Sequence, residues 1–380
     1  GFYLDDWIFL EFTDKATNLW QAAGVFAQKG HAIRPIQILQ LPIFYLLAGH
    51  YPPIGQLILY ALEFLEGLLL YLFLYRLTKS SALSLFATVL AILYPNRAIV
   101  HIWLSNASQL VSHNFLLASL LLHLRWLKSP QKRYFLFGSL SLYLLGMLCY
   151  ESIYFLPLIL VGGLIGQHLA LGMRFFPALK EQAKKTWPFL IPLGIAIFWQ
   201  RYGVTLFFDA GVKPMSLSLP HFINAYMAGF ECVTNRVVHL CAISAPHFFK
   251  EISTMNILIG MLFVLGVGFN LFQRDSEALP KGTLKILMGA CIAGFIGTYL
   301  PFALSGNYMP QIFSPNARLN AAGAWVGGML LAAGFMALRH SRWPALPSLW
   351  PKALSRTLIA AALIGFTMAD IVSSRNWSKR

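Results

Sequence analysis

From residue 52 onward the chain repeats one pattern, a long apolar run followed by a short polar connection. The runs are rich in Leu, Phe and Ile and lack the period-two alternation of a membrane barrel strand, so they predict helices. A helix needs about 20 apolar residues to cross the hydrocarbon core. Roughly ten spans are predicted, at 52–77, 81–95, 109–127, 134–149, 152–171, 187–207, 256–272, 284–301, 319–338 and 357–372, the second being the shortest. Ahead of them, 18–28 predicts a short helix. Residues 34–49, where Gln37, Gln40 and Pro42 interrupt the apolar positions, predict an interfacial helix lying along the membrane surface. A polar and aromatic excursion at about 208–254, broken by Pro214, Pro220 and Pro246, separates two of the later spans.

Composition agrees with this pattern. Hydrophobic residues make up 57% of the chain and charged residues 11%, against about 25% charged in a soluble domain, which points to an integral membrane protein. The fold class expected is therefore all-α and polytopic. Residues 1–51 form an outer acidic loop with interfacial helices, and 52–380 form a transmembrane helical domain. The first residues are neither Met nor a signal peptide, and a first transmembrane helix is expected upstream.

Charge then sets an orientation. A net charge of +15 in a soluble protein would suggest nucleic acid, but here basic residues anchor helices, and no nucleic-acid partner is expected. The connections at 76–79, 125–133, 174–185, 274–285 and 339–356 alternate along the chain and hold 17 of the 29 Lys and Arg. By the positive-inside rule they are cytoplasmic. The acidic start, Glu151, the excursion and Arg318 then face outward.

Candidate chemistry follows from where acids stand in an acid-poor chain. Only 14 Asp and Glu occur, yet Asp5, Asp6, Glu11 and Asp14 fall together at the start. A carboxylate there can take a proton from an acceptor hydroxyl while a second orients the acceptor or holds a cation. Asp also favours helix N-caps and turns, which is the structural alternative. Glu151 lies between two predicted spans with no basic neighbour in sequence, and serves either a cavity or the N-terminus of the next helix. Glu63 and Glu66, three apart on one helical face, lie deep in the first predicted span. They suit a proton-coupled transporter or, on the preferred reading, a packing contact to His113 or Asn114. Arg318, before an outer helix start, suits phosphate binding or an interfacial anchor. Arg34, Arg97, Arg201 and Arg236 are further outer cations. The four cysteines have no metal-ligand spacing and are expected as free thiols, although Cys232 and Cys241 could pair. No Walker loop, GxGxxG motif or HExxH motif is present, and no metal site is expected.

Asp5-Asp6 in the first outer segment, Arg34-Pro35, and Glu151 ahead of Pro157 together resemble the GT-C superfamily of multi-spanning glycosyltransferases. The likeness is to protein O-mannosyltransferases and the aminoarabinose transferase. Asn316-Ala317-Arg318-Leu319 and the trailing Arg375-Asn376-Trp377 look like the transmembrane-TPR O-mannosyltransferase group. The tyrosine that often follows the late Arg is Leu319 here. The resemblance implies a polyprenyl-phosphate-sugar donor, a lipid, glycan or protein acceptor, and transfer with inversion on the outer face. Asp5 or Asp6 would be the general base, Glu151 and Arg34 would position acceptor or donor, and Arg318 would hold phosphate. Some relatives use a divalent cation, and the residues leave the cofactor open. The location implied is a bacterial inner membrane. The competing expectation is a transporter or flippase using Glu63 and Glu66.

Overall fold

The computed structural model describes residues 5–28, 31–95, 97, 100, 102–208, 218–251, 282–305, 320–340 and 349–378, with isolated positions between 254 and 280 and at 309–311. Among them, helices and turns form the whole architecture and no strand occurs. The helices are α1 (Asp5–Asp14), α2 (Leu19–Gln28), α3 (Pro35–Ala48), α4 (Pro52–Thr78), α5 (Ser81–Ile92), α6 (Ala107–Lys128), α7 (Arg133–Cys149) and α8 (Leu158–Ala170). They continue as α9 (Phe175–Thr186), α10 (Leu190–Phe198), α11 (Val204–Phe208), α12 (Leu219–Val233), α13 (Asn235–Glu251), α14 (Thr283–Ala303), α15 (Ala321–His340) and α16 (Leu349–Ser378). Helix starts follow local chemistry. Pro35 and Pro52 open α3 and α4, where a missing N–H costs nothing. Ser80 caps α5 by accepting from the Leu83 N–H.

Seven stretches are long and apolar enough to cross a membrane: Pro52–Thr78, Leu104–Lys128, Glu151–Ala170, Phe175–Phe208, Thr283–Ala303, Ala321–Arg339 and Ala353–Ser373. The chain is an integral membrane protein with its lipid-facing side chains in contact with the bilayer. Two of the predicted spans form helices too short to cross the core at full length. At about 1.5 Å per residue, α5 reaches ~18 Å and α7 ~25 Å, less than a hydrocarbon core of about 30 Å. Pro95 and the turn around Tyr94 stop α5, and Tyr150 stops α7. The span predicted at 256–272 lies largely outside the described residues.

Helix packing explains the glycines. Gly162 and Gly166 of α8 lie one turn apart and face Gly289 of α14 so closely that a Cβ on Gly162 would stand 2.1 Å from the Gly289 carbonyl. One on Gly166 would stand 2.3 Å from the Lys285 carbonyl. Small residues let two membrane helices touch backbone to backbone, and dispersion then replaces the hydrophobic drive that lipid cannot supply. Gly328 of α15 meets α5 in the same way, at Ala87 and Ala91. Within the predicted excursion, residues 218–251 form the two helices α12 and α13. Starting near Phe302, whose carbonyl faces His221, α12 runs down α14 until Tyr226 donates to the Ile296 carbonyl. After Thr234, α13 turns back along α16 from Gly365 to Val372. The Tyr94 hydroxyl holds the turn by donating to the Val233 carbonyl at 2.5 Å.

The two ends of the bundle differ. At one end Thr78, Lys79, Lys128, Ala170, Lys185 and Thr283 gather, as the bonds from His123 to Lys185, Lys285 to Leu169 and Thr283 to Thr78 record. This basic end collects the connections at 76–79, 125–133 and 174–185, with Lys285 beside them. At the other end α1, α2 and α3 form a second apolar layer with Leu59, Trp103, Leu110, Val204 and Ala321. That layer carries the acidic start.

Candidate active site

The acidic segment is helix α1, not a loop, and helix geometry divides its acids. Phe9 and Leu10 are buried, and Phe9 packs against Phe26, His31 and Tyr45. Asp6 lies on the same inward side and is fully buried. Its Oδ1 accepts the Tyr45 hydroxyl at 2.5 Å and the Ser105 backbone N–H at 3.0 Å. Burial, with the nearby Asp6 and Asp5 charges, pushes the Tyr45 phenol well above its usual range, so it stays protonated and donates. Asp6 thus pins α1 to α3 and to the 3-10 turn Leu104–Asn106 that opens α6. Glu11 is taken by Lys15 one turn on. Asp14 pairs with His50 at 2.9 Å. Asp5 is partly exposed and makes no hydrogen bond or ion pair with the described residues.

Arg34 and Glu151, 117 positions apart in sequence, form a two-pronged pair. Nε reaches Oε2 at 2.5 Å and the second guanidinium nitrogen reaches Oε1 at 2.5 Å. The guanidinium also lies over the Tyr150 ring, 4.1 Å from its centroid. A planar fork on a carboxylate with an aromatic beneath it is the geometry that Arg, not Lys, supplies. Around this pair, Gln37 accepts from Arg34, faces His31 at 3.4 Å and donates to Ser108 at 3.1 Å. The Cys149 thiol donates to Gln40 and to the Ser108 carbonyl. Burial raises that thiol far above its usual range, so it is an inert packing group.

Two polar poles result, joined by α3 and the start of α6. Arg34 stands at the N-cap of α3 and Tyr45 in its last turn, about 16 Å of helix rise away. Ser105 serves the Asp6 pole and Ser108 the Arg34–Glu151 pole. The Asp6 pole and the Arg34–Glu151 pole therefore attach to opposite ends of α3. Arg318 lies outside the described residues.

Glu63 and Glu66 belong to a separate buried cluster. Arg97, wholly buried, reaches Glu66 with both terminal nitrogens at 3.2 and 3.1 Å, and Glu63 at 3.1 Å. Glu66 also faces His113 at 3.2 Å and accepts the Trp325 indole N–H at 2.7 Å. The expected contact to His113 is present, while Asn114 donates instead to the Leu62 carbonyl of α4, the helix that carries Glu63 and Glu66. Apolar patterning does not single out Arg97, Trp325, Tyr45 or Ser105. Arg97 had one usable signal, since two carboxylates at membrane depth require a nearby cation.

No disulfide joins any of the four cysteines, Cys232 and Cys241 included. Among the described residues no three His, Cys, Asp or Glu side chains group so as to hold a metal ion. Comparison of the chain with known protein families, with curated proteins and with solved structures returns no match.

Proposed function

We propose that this protein is a membrane glycosyltransferase of the GT-C type. It moves a sugar from a polyprenyl-phosphate donor to an acceptor hydroxyl, on the extracytoplasmic side of a bacterial inner membrane. One observation carries the reading. Of the four acids grouped at the start, three are occupied by Tyr45 and Ser105, by Lys15 and by His50, which leaves Asp5 partly exposed beside a buried, anchored Asp6. A general base needs that combination, a carboxylate open to substrate on a rigid support.

On this reading Asp5 takes the acceptor hydroxyl proton as the acceptor oxygen attacks the anomeric carbon from the face opposite the leaving group. The bond from that carbon to the phosphate oxygen breaks, its electron pair leaves with the polyprenyl phosphate, and the anomeric configuration inverts. Asp6 is a positioning residue that acts through Tyr45 and Ser105. Arg34 and Glu151 satisfy each other, so they hold α3 against the α7–α8 turn and leave the donor phosphate to other cations, with Arg318 the candidate from sequence. The transporter reading draws on Glu63 and Glu66. Both carboxylates are already engaged by Arg97, and removing either partner of such a pair costs about 3–5 kcal/mol, which favours a structural role.

The test is donor class. Purified protein in proteoliposomes is given a labelled sugar on polyprenyl phosphate or on a nucleotide, with a mixed pool of lipid and peptide acceptors. Transfer from the polyprenyl phosphate alone, giving the inverted anomer by NMR, supports the reading. Transfer from the nucleotide sugar, or retention of configuration, overturns it.

A further inference from the structure

At the basic end, Lys79 stands out by its backbone. It terminates α4 at φ 59 and ψ 15, the only described non-glycine residue with positive φ. Glycine is the ordinary choice at a left-handed helix end because a Cβ there is strained. A lysine that bears this strain implies a use for its side chain. That side chain lies close enough to the Lys128 ammonium at the end of α6, and to Arg76, to feel both charges. No carboxylate among the described residues pairs with any of the three. Desolvation, then the Lys128 and Arg76 charges, pulls the Lys79 ammonium below the usual lysine range. Three converging cations without an acid form a receptor for an anion.

The same helix supplies an apolar track leading to them. Phe64, Leu68, Tyr71 and Tyr75 follow at helical spacing on one face of α4, and that spacing continues to Lys79. Phe64 is 75% exposed, and the Tyr71 and Tyr75 rings stack with centroids 6.1 Å apart. Cations at the end of an exposed apolar stripe match one amphiphile, a lipid whose head carries a phosphodiester and whose chains lie along the helix.

We propose that Lys79, Lys128 and Arg76 form a binding site for the headgroup of an anionic phospholipid, with its acyl chains against the Phe64–Tyr75 face of α4. The site is independent of the transfer chemistry, which lies at the opposite end of the bundle.

Lys79→Gly is the sharpest probe because its two effects have opposite signs. It relieves the left-handed strain and the charge crowding, and it removes a headgroup contact. Full-length protein in neutral detergent is melted with phosphatidylglycerol, phosphatidylcholine or inorganic phosphate. Wild type is expected to gain about 3–6 °C more from phosphatidylglycerol than from phosphatidylcholine. Lys79→Gly is expected to melt above wild type in phosphatidylcholine and to lose most of the phosphatidylglycerol gain, while Lys132→Gln keeps it. Native mass spectrometry is expected to show one retained phosphatidylglycerol on wild type and fewer on Lys128→Gln. Equal gains from both lipids, or a full phosphatidylglycerol gain in both Lys79→Gly and Lys128→Gln, overturn the site. An equal gain from inorganic phosphate overturns the lipid assignment in favour of a free anion.

Discussion

At the scale of single residues, what separates Asp5 from Asp6 is one step of a helix. Asp6 turns inward onto Tyr45 and Ser105, and Asp5 stays partly exposed. The sequence shows an unusual pair of acids but not which one is buried, because that depends on α3 and α6 arriving from 39 and 99 residues away. The same limit hides Arg97. Its neighbours Tyr94 and Pro95 read as a helix exit, and only the folded chain brings its guanidinium onto Glu63 and Glu66. Breaking that cluster leaves a buried charge uncompensated. Arg97→Ala is therefore expected to lower stability by about 3–5 kcal/mol, read as a fall in melting temperature in detergent. Glu63, the more exposed carboxylate, is expected to tolerate replacement by Gln better than Glu66, which answers to Arg97, His113 and Trp325 together.

At the scale of elements, the α8–α14 contact depends on missing side chains. Gly162→Ala sets a Cβ against a carbonyl oxygen that cannot swing aside, and the helices must part. The expected cost is about 1–3 kcal/mol, measured by melting. Gly194 on α10 has open space around a Cβ, and Gly194→Ala is expected to be neutral or slightly stabilising in the same measurement. Length and hydropathy were enough to read most membrane helices, since the need for about 20 apolar residues is local. They did not reveal that α12 and α13 turn back against α14 and α16, because prolines and scattered polar residues look alike in a loop and in a packed hairpin. Nor did they show α1 as a helix, since its ten residues carry four acids among aromatics and little apolar periodicity.

At the scale of the whole molecule, the basic charge and the proposed site lie at opposite ends. The described basic connections, at 76–79, 125–133 and 174–185, gather at one end and the Asp5, Asp6, Arg34 and Glu151 layer at the other. If the basic end is cytoplasmic, cysteines placed at Thr17 and Lys132 differ in access. Thr17→Cys is expected to react with an impermeant maleimide on intact spheroplasts, and Lys132→Cys only after permeabilisation. The reverse order would invert the orientation and move the chemistry to the cytoplasm. The central claim is narrower: Asp5 is the base and Asp6 its support. Turnover with a polyprenyl-phosphate sugar, measured for Asp5→Asn and Asp6→Asn at equal amounts of folded protein, tests it directly. Asp5→Asn is expected to melt like wild type and lose about 10²–10⁴-fold in kcat. Asp6→Asn is expected to lose about 1–2 kcal/mol of stability and much less of kcat. Wild-type turnover in Asp5→Asn would contradict the account.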